Sequence, residues 1–217
     1  MTMKVSTVVF DLDGTLSDPS VGIIRCVNHA LTKGGYPTRS DAEISAEIGP
    51  PLDLMFGKFI PGIDMPGIET LVMYYRERFG DTGFSENQLY DGIPEALEAL
   101  ERKGVRLGVC TSKPAPAAKK ILRHFKLDHH MAFVSGGDIG IKKQSQLEAL
   151  LGDDNIDKNA VMIGDRGVDL SAAHNNGLRS AGVLWGFGAQ AELQSENPEL
   201  MIAQVDNLPD CFDTLPA

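Results

Sequence analysis

Apolar positions follow two different rhythms along this chain. Val8, Val9 and Phe10 form a short β-branched and aromatic run that stops at Asp11-Leu12-Asp13-Gly14, the pattern of a buried strand ending in a polar turn. From Asp18 the spacing becomes helical. Ser20 is placed to cap a helix whose apolar face is Ile23, Val27, Ala30 and Leu31 and which stops at Gly34-Gly35. Leu52, Met55, Phe56 and Phe59 repeat the helical spacing, as do Ile68, Val72, Tyr75 and Phe79. No strand signal occurs over residues 18–86, and the Met and aromatic stripe there reads as packing core. Beyond Tyr90 helix and strand alternate. Residues 94–103 carry proline in the first turn, acids early, Arg102-Lys103 late and Gly104 as a stop. Strands are expected at 105–110, 133–134, 160–163 and 180–185. Helices are expected from Pro114 (Ala118, Ile121, Leu122, Phe125), around Leu147, Leu150 and Leu151, after Asp169, and at the C-terminus.

This alternation predicts an α/β fold, a doubly wound and mostly parallel sheet. The helical stretch is an insertion into it. Residues 1–17 and 87–217 form the α/β core and residues 18–86 an all-helical second unit. A length of 217 residues suits one domain carrying such an insertion, and 42% apolar content suffices for a core. No apolar run reaches the ~18 residues of a membrane span. Met1-Thr2-Met3-Lys4 lacks the basic-then-apolar order of a signal peptide. Cys26, Cys110 and Cys211 are widely spaced and odd in number, which suggests reduced thiols in a cytoplasmic protein. No Cys/His spacing resembles a zinc site, and the five histidines read as structural or exposed. A net charge of −10 argues against nucleic-acid polymers and anionic membranes as partners.

Three of the expected strands end in polar groups: Asp11 and Asp13, Thr111 and Lys113, and Asp165 with Asp169. In open α/β sheets ligands bind at the carboxyl ends of strands. Period-two geometry puts Asp11 and Asp13 on one side of the strand end. Four carboxylates at one sheet edge repel one another; two unit charges ~4 Å apart cost about 4 kcal/mol at an effective dielectric near 20. A hard divalent cation removes that cost, and Mg²⁺ suits a few carboxylates joined by phosphate oxygens. The helix opening at Pro114 offers free N–H groups for such oxygens.

These residues, in this order, resemble the haloacid dehalogenase-like (HAD) phosphatase superfamily across the whole chain. Asp11-Leu12-Asp13-Gly14-Thr15 resembles its first motif, Thr111 its second, a lysine at 142 or 143 its third, and Gly164-Asp165-Arg166-Gly167-Val168-Asp169 its fourth. The helical insertion, Gly49-Pro50-Pro51-Leu52, Thr111-Ser112-Lys113-Pro114 and Trp185-Gly186-Phe187-Gly188 are similar to the phosphoglycolate phosphatase-like branch, in which the insertion is a small cap. The resemblance implies a phosphatase with Asp11 as nucleophile and Asp13 as general acid and then base. Mg²⁺ is held by Asp11, the Asp13 carbonyl, Asp165 and Asp169, and Thr111 and the lysine hold the phosphoryl group. It places Thr15, Ser112, Lys113, Gly49 and Pro50 at the substrate, a small phosphorylated metabolite such as phosphoglycolate, a sugar phosphate or a nucleoside monophosphate. The protein is expected to be a monomer or homodimer. If Leu147, Leu150 and Leu151 face the core, Lys143 shares their face and Lys142 is rotated ~100° away. Lys143 is therefore preferred, with Lys142 as the alternative and two solvated lysines as a third reading.

Other readings compete. Phosphosugar mutases share all four motifs. Gly186-Phe187-Gly188-Ala189-Gln190-Ala191 nominally fits a dinucleotide fingerprint with Asp206 beyond it, yet only 11 residues follow Asp206. The stretch is better read as a loop near the active site. A non-catalytic domain has no reason to keep four mutually repelling carboxylates. Arg25 and Arg76 read as solvated helix faces, with reach to a substrate carboxylate or phosphate as the alternative.

Overall fold

The computed structural model describes residues 5–214. Residues 1–4, on which the reading of the N-terminus rests, lie outside the described residues, as do residues 215–217. The chain enters through strand β1 (Thr7–Phe10) and a two-residue strand β2 (Ser17–Asp18). It then runs through helices α1 (Ser20–Lys33), α2 (Asp41–Ser45), α3 (Leu52–Phe59) and α4 (Met65–Asp81). A second two-residue strand, β3 (Gln88–Leu89), pairs antiparallel with β2 and brings the chain back. Next come α5 (Ile93–Arg102), β4 (Arg106–Thr111), α6 (Ala115–His124), β5 (Phe133–Gly136) and α7 (Lys143–Gly152). The chain closes with β6 (Val161–Gly164), α8 (Gly167–Asn175), β7 (Arg179–Val183), α9 (Gln190–Ser195) and β8 (Leu200–Ile202).

Six strands make one sheet in the order β5-β4-β1-β6-β7-β8, each neighbouring pair parallel. The chain builds outward from β1 through β4 to β5, then crosses to β6 on the other side of β1. The order therefore reverses at β1, and the crevice beyond its carboxyl end is the topological switch point where α/β sheets bind ligands. Along β1 the side chains alternate. Val8 and Phe10 join the larger core, while Val9 joins Cys110, Met162, Leu147 and Ala172 on the face covered by α7 and α8.

Local chemistry explains the insertion's helices and corrects one expectation. Ser20 is the first residue of α1, not its cap; Pro19 holds the cap position and the Asp18 carboxylate accepts from the Ser20 amide at 2.9 Å. Helix α2 starts in a capping box, the Ser40 side chain accepting from the Glu43 amide while Glu43 accepts from that of Ser40. Asp64 caps α4 through the Gly67 amide at 2.9 Å. Two further expectations are adjusted. Short strands do occur where the insertion meets the core, and the chain's end contains β8 after α9 rather than a helix alone. The strand expected at 180–185 is β7, one residue earlier at its start and two shorter at its end. No helix among the described residues is long and apolar enough to cross a membrane.

The junction is tied by Glu86. Arg78 contacts both of its carboxylate oxygens, at 2.7 and 3.0 Å, and Arg25 one of them at 2.6 Å, joining α1 and α4 to the approach to β3. The Arg78 guanidinium holds the Glu86 carboxyl down at about 2, against partial burial, with Arg25 adding to the effect. A depressed carboxyl stabilises the fold above its ordinary value of 4.5 and loses that contribution as the pH falls toward 2. Glu86→Gln should therefore lower stability by about 1–2 kcal/mol at pH 7. Urea unfolding checks this: the gap between the two proteins should narrow at pH 3, and a gap that persists unchanged there would show that charge is not its source.

Candidate active site

Asp11 follows the last residue of β1, and its amide continues the ladder onto Ile163 of β6 at 2.8 Å. It lies one alternation beyond Val9, on the α7–α8 face of the sheet, where Lys143 and Asp169 also lie. The Lys143 ammonium is 3.1 Å from Asp11 Oδ1 and also bonds Asp169 Oδ1. Asp11, Lys143, Asp165 and Asp169 are all buried. Oxygens of Asp11, Asp165 and Asp169 come within 4.8 Å of one another, a grouping able to hold a metal ion.

Backbone and hydroxyl donors orient the other two acids. Thr15 Oγ1 donates to Asp165 Oδ1 at 3.1 Å and the Phe187 amide to Asp165 Oδ2 at 2.9 Å. The Arg166 amide donates to Asp169 Oδ2 at 3.0 Å. Gly14, with φ +83°, turns the chain here, and a Cβ on it would lie 2.2 Å from Asp165 Oδ2. The loop 185–188 packs on the same acid, with the Trp185 indole donating to the Thr15 carbonyl at 3.0 Å. It is a wall of the site, and its Phe187 amide is already committed to Asp165 rather than free for a pyrophosphate.

Asp13 behaves differently from Asp11. The strand ends at Phe10, so period-two alternation does not extend to residue 13, and the Asp13 carboxylate turns to Lys113 instead, at 2.9 Å. Its other oxygen is buried without a hydrogen-bond partner. Burial raises the Asp13 carboxyl, with Lys113 pulling against it. Burial also raises Asp165 and Asp169; the neighbouring acids add to the rise and Lys143 counters it. Burial by itself would lower the Lys143 ammonium, but Asp11 and Asp169 outweigh it and hold the group above its ordinary value. Of the three carboxylates, Asp11 and Asp169 pair with the one ammonium, and all the donors are hard oxygens. That donor set fits a hard divalent cation rather than zinc, which prefers nitrogen and sulfur.

The remaining candidates surround this centre. Thr111 ends β4 and is buried; its hydroxyl accepts from the Lys113 amide at 3.3 Å. Gln146, three residues after Lys143 on the same helix face, donates to the Thr111 carbonyl at 3.2 Å. Lys142 is the exposed cap residue of α7 and Lys143 its first buried position. Thr15 is wholly buried against Asp165. Gly49, Pro50, Ser112 and Lys113 line a cavity of about 370 Å³ between the insertion and the core, with Asp13 on its floor. Arg76 also lines it, paired with Asp138 across the rim at 2.5 Å, whereas Arg25 is engaged with Glu86. The residue the sequence did not single out is Arg166, whose side chain reaches backbone carbonyls of the insertion. No sequence pattern marks such partners.

A family model described as haloacid dehalogenase-like hydrolase matches residues 8–183. The chain belongs to the haloacid dehalogenase-like hydrolases. Among curated relatives it is 40% identical over 200 residues to a 5′-nucleotidase of Pseudomonas aeruginosa, covering 90% of each chain. It is 31% identical over 184 residues to a phosphoglycolate phosphatase of Xanthomonas campestris, covering 83% of each. A crystal structure of a predicted phosphatase from Clostridium acetobutylicum superposes with a TM-score of 0.92 at 34% identity, covering 98% of this chain and 100% of the other. This haloacid dehalogenase-like chain is therefore an enzyme of phosphatase type, built on the parallel sheet its alternation predicts.

Because Lys143 is the lone ammonium among three buried acids, Lys143→Met should cost the metal-free protein about 3–5 kcal/mol at pH 7.5. Lys142→Met, on the exposed cap residue, should stay within about 0.5 kcal/mol. Denaturant unfolding of both variants decides it; equal losses would mean that Lys143 does not carry the charge balance.

Proposed function

We propose that this protein is a Mg²⁺-dependent phosphatase of small phosphomonoesters that works through an aspartyl-phosphate on Asp11. The observation that carries the reading is the Asp11–Lys143 contact of 3.1 Å inside the buried acid group at the switch point. Asp11, the Asp13 carbonyl, Asp165 and Asp169 are the residues that would hold Mg²⁺. When bound, the ion supplies charge neutralisation for the phosphoryl oxygens.

The chain's own groups account for the rest. An Asp11 oxygen attacks phosphorus as the bond to the leaving oxygen breaks. Lys143, with Thr111, neutralises charge shared by Asp11 and the transferring group. Asp13, its carboxyl raised by burial against the pull of Lys113, is the group that gives a proton to the leaving alkoxide. In the second step Asp13 takes a proton from the water that attacks the aspartyl-phosphate, and phosphate leaves. The helices of residues 18–86 act as a cap that excludes bulk water while the first step proceeds.

The cavity favours one class among the candidate substrates. Its walls are largely apolar and aromatic, including Ile48, Met55, Val72, Tyr75 and Phe79, the last two stacked at 5.6 Å. Each cation on the wall already has a partner: Arg76 on Asp138, Lys113 on Asp13 and Lys120 on the Gly80 carbonyl at 2.6 Å. The carboxylate of phosphoglycolate would have to displace one of these, and a simple sugar phosphate has no aromatic ring to lay against Tyr75 and Phe79. An uncharged leaving group with an aromatic ring fits, so nucleoside 5′-monophosphates are the preferred substrates, in keeping with the 5′-nucleotidase relative.

The deciding experiment is phosphate release from a panel of nucleoside 5′-monophosphates, sugar phosphates, phosphoglycolate and p-nitrophenyl phosphate. Mg²⁺-dependent turnover highest on the nucleotides is expected. Full activity in excess EDTA overturns the metal reading. Asp11→Asn should leave less than about a hundredth of wild-type activity, a loss beyond the lower end of general acid–base effects. More than that would contradict nucleophilic catalysis.

The acid group also predicts a pH signature without turnover. Carboxyls raised in the folded protein disfavour it as they ionise, so the contribution of Asp165 and Asp169 to metal-free stability is fully present below their ordinary value of 3.8 and is lost as the pH rises through the raised values. A bound cation removes that penalty. At a hundredfold excess over Kd, Mg²⁺ should add about 2.7 kcal/mol, roughly 5–10 °C in Tm, at pH 8. The shift should be smaller at pH 5, where binding must expel protons. Thermal unfolding with and without Mg²⁺ at the two pH values tests this, and an equal shift would place the ion elsewhere.

A further inference from the structure

Arg166 sits between the two acids of the Asp165–Asp169 loop, yet its side chain leaves them. Nε donates to Glu192 Oε1 at 3.0 Å, and Nη1 donates to the Ala46 carbonyl at 3.3 Å and to the Ile48 carbonyl. Both carbonyls belong to the short segment after α2, directly before Gly49-Pro50-Pro51. Glu192 Oε1 also accepts from the Gly167 amide at 2.8 Å, so the guanidinium is anchored on the core side at the start of α8. Its backbone amide is the donor to Asp169 Oδ2. One residue therefore orients an acid of the catalytic centre with its main chain and grips the cavity wall with its side chain.

Two details show that the contact is built for this side chain. Gly49 has φ +120°, and a Cβ there would lie 2.7 Å from Arg166 Cγ, so the segment passes directly over the arginine stem. The arginine side chain is also largely buried, at 14% exposed. A planar guanidinium can serve Glu192 and two carbonyls at once, which a lysine's compact ammonium at a different distance cannot. The other polar ties near this cavity between insertion and core, Arg76 with Asp138 and Lys120 with the Gly80 carbonyl, are made by α4. The proline segment itself is held by Arg166.

We propose that Arg166 is a positioning residue that latches the Gly49-Pro50-Pro51 wall over Asp13 by tying it to the loop carrying Asp165 and Asp169. The proposal rests on reading the enclosed cavity as the leaving-group site. Opening that wall breaks the bonds to Ala46 and Ile48, and closing it restores them, so occupancy of the cavity and the order of the acid loop are mechanically linked.

Hydrogen–deuterium exchange on the full chain without substrate tests the latch directly. In Arg166→Met the amides of residues 46–52 should exchange about tenfold faster, the scale of one lost charge-assisted hydrogen bond. Arg166→Lys should fall between the two, and residues 161–170 should keep wild-type protection. Gly49→Ala attacks the same contact from the other side and should also speed exchange at 46–52, which keeps the test open if an Arg166 variant folds poorly. In kinetics with the best substrate of the panel, Arg166→Met should raise KM about tenfold with a smaller change in kcat. Unchanged exchange at 46–52, or loosening that appears first at 161–170, overturns the latch. Exchange needs no turnover, so a wild-type protein with no phosphatase activity would overturn the function and not the latch.

Discussion

Three carboxylates placed together out of water are the constraint on which the rest of this structure depends. Asp11 and Asp169 pair with Lys143, Asp165 lies beside them, and all three have little solvent to dilute their repulsion. Each acid therefore needs fixed donors, and the fold supplies them from four different segments. Asp165 takes a hydroxyl from the first motif and an amide from the 185–188 loop. Asp169 takes the amide three residues earlier and the ammonium that starts α7. Such a centre cannot be assembled locally. It exists only once β1 and β6 are paired and α7 lies on their shared face, which makes the parallel sheet a precondition of the chemistry.

The same dependence divides the labour between the two parts of the chain. The sheet edge provides acids and an ammonium whose arrangement is indifferent to the alcohol being released. The helical insertion contributes the apolar walls around Tyr75 and Phe79, and those decide what can sit beside Asp13. Lys113 stands at the border, paired with Asp13 from the core side and 4.5 Å from the centroid of the Phe79 ring from the insertion side. The charge of this lysine is therefore shared between the acid of the core and the aromatic wall of the insertion.

Much of this was legible in the sequence, for a definite reason. Where an apolar run stops at charged residues, as at Phe10-Asp11 and Ile163-Gly164-Asp165, burial and chemistry are written side by side. The phase of α7 was legible too, because Leu147 and Leu150 fix the buried face and Lys143 falls on it. Elements of two or three residues, β2, β3 and β8, carry too few positions for any period to show. The cap of α1 was misassigned because the helix starts one residue earlier than expected: Pro19 takes the cap position, and the Ser20 amide is satisfied by the Asp18 carboxylate. Asp13 turned toward Lys113 because its strand had already ended. Arg166 could not be read at all, since its partners in the insertion are main-chain carbonyls that any residue would provide.

The junction between insertion and core adds one geometric consequence. The β2–β3 ladder, only two residue pairs long, begins at Ser17, and Ser17 is bridged to Asp13 while its carbonyl accepts from the Gly14 amide at 2.8 Å. This ladder joins the insertion to the core, while Glu86, Arg25 and Arg78 tie the insertion's own helices together beside it. Asp13 is thereby placed beside the ladder that joins the two parts of the chain. The Gly49-Pro50-Pro51 wall belongs to the insertion rather than to this junction. The cavity's apolar wall and the buried acids are thus carried by different parts of the chain, and Asp13 lies where the two parts join.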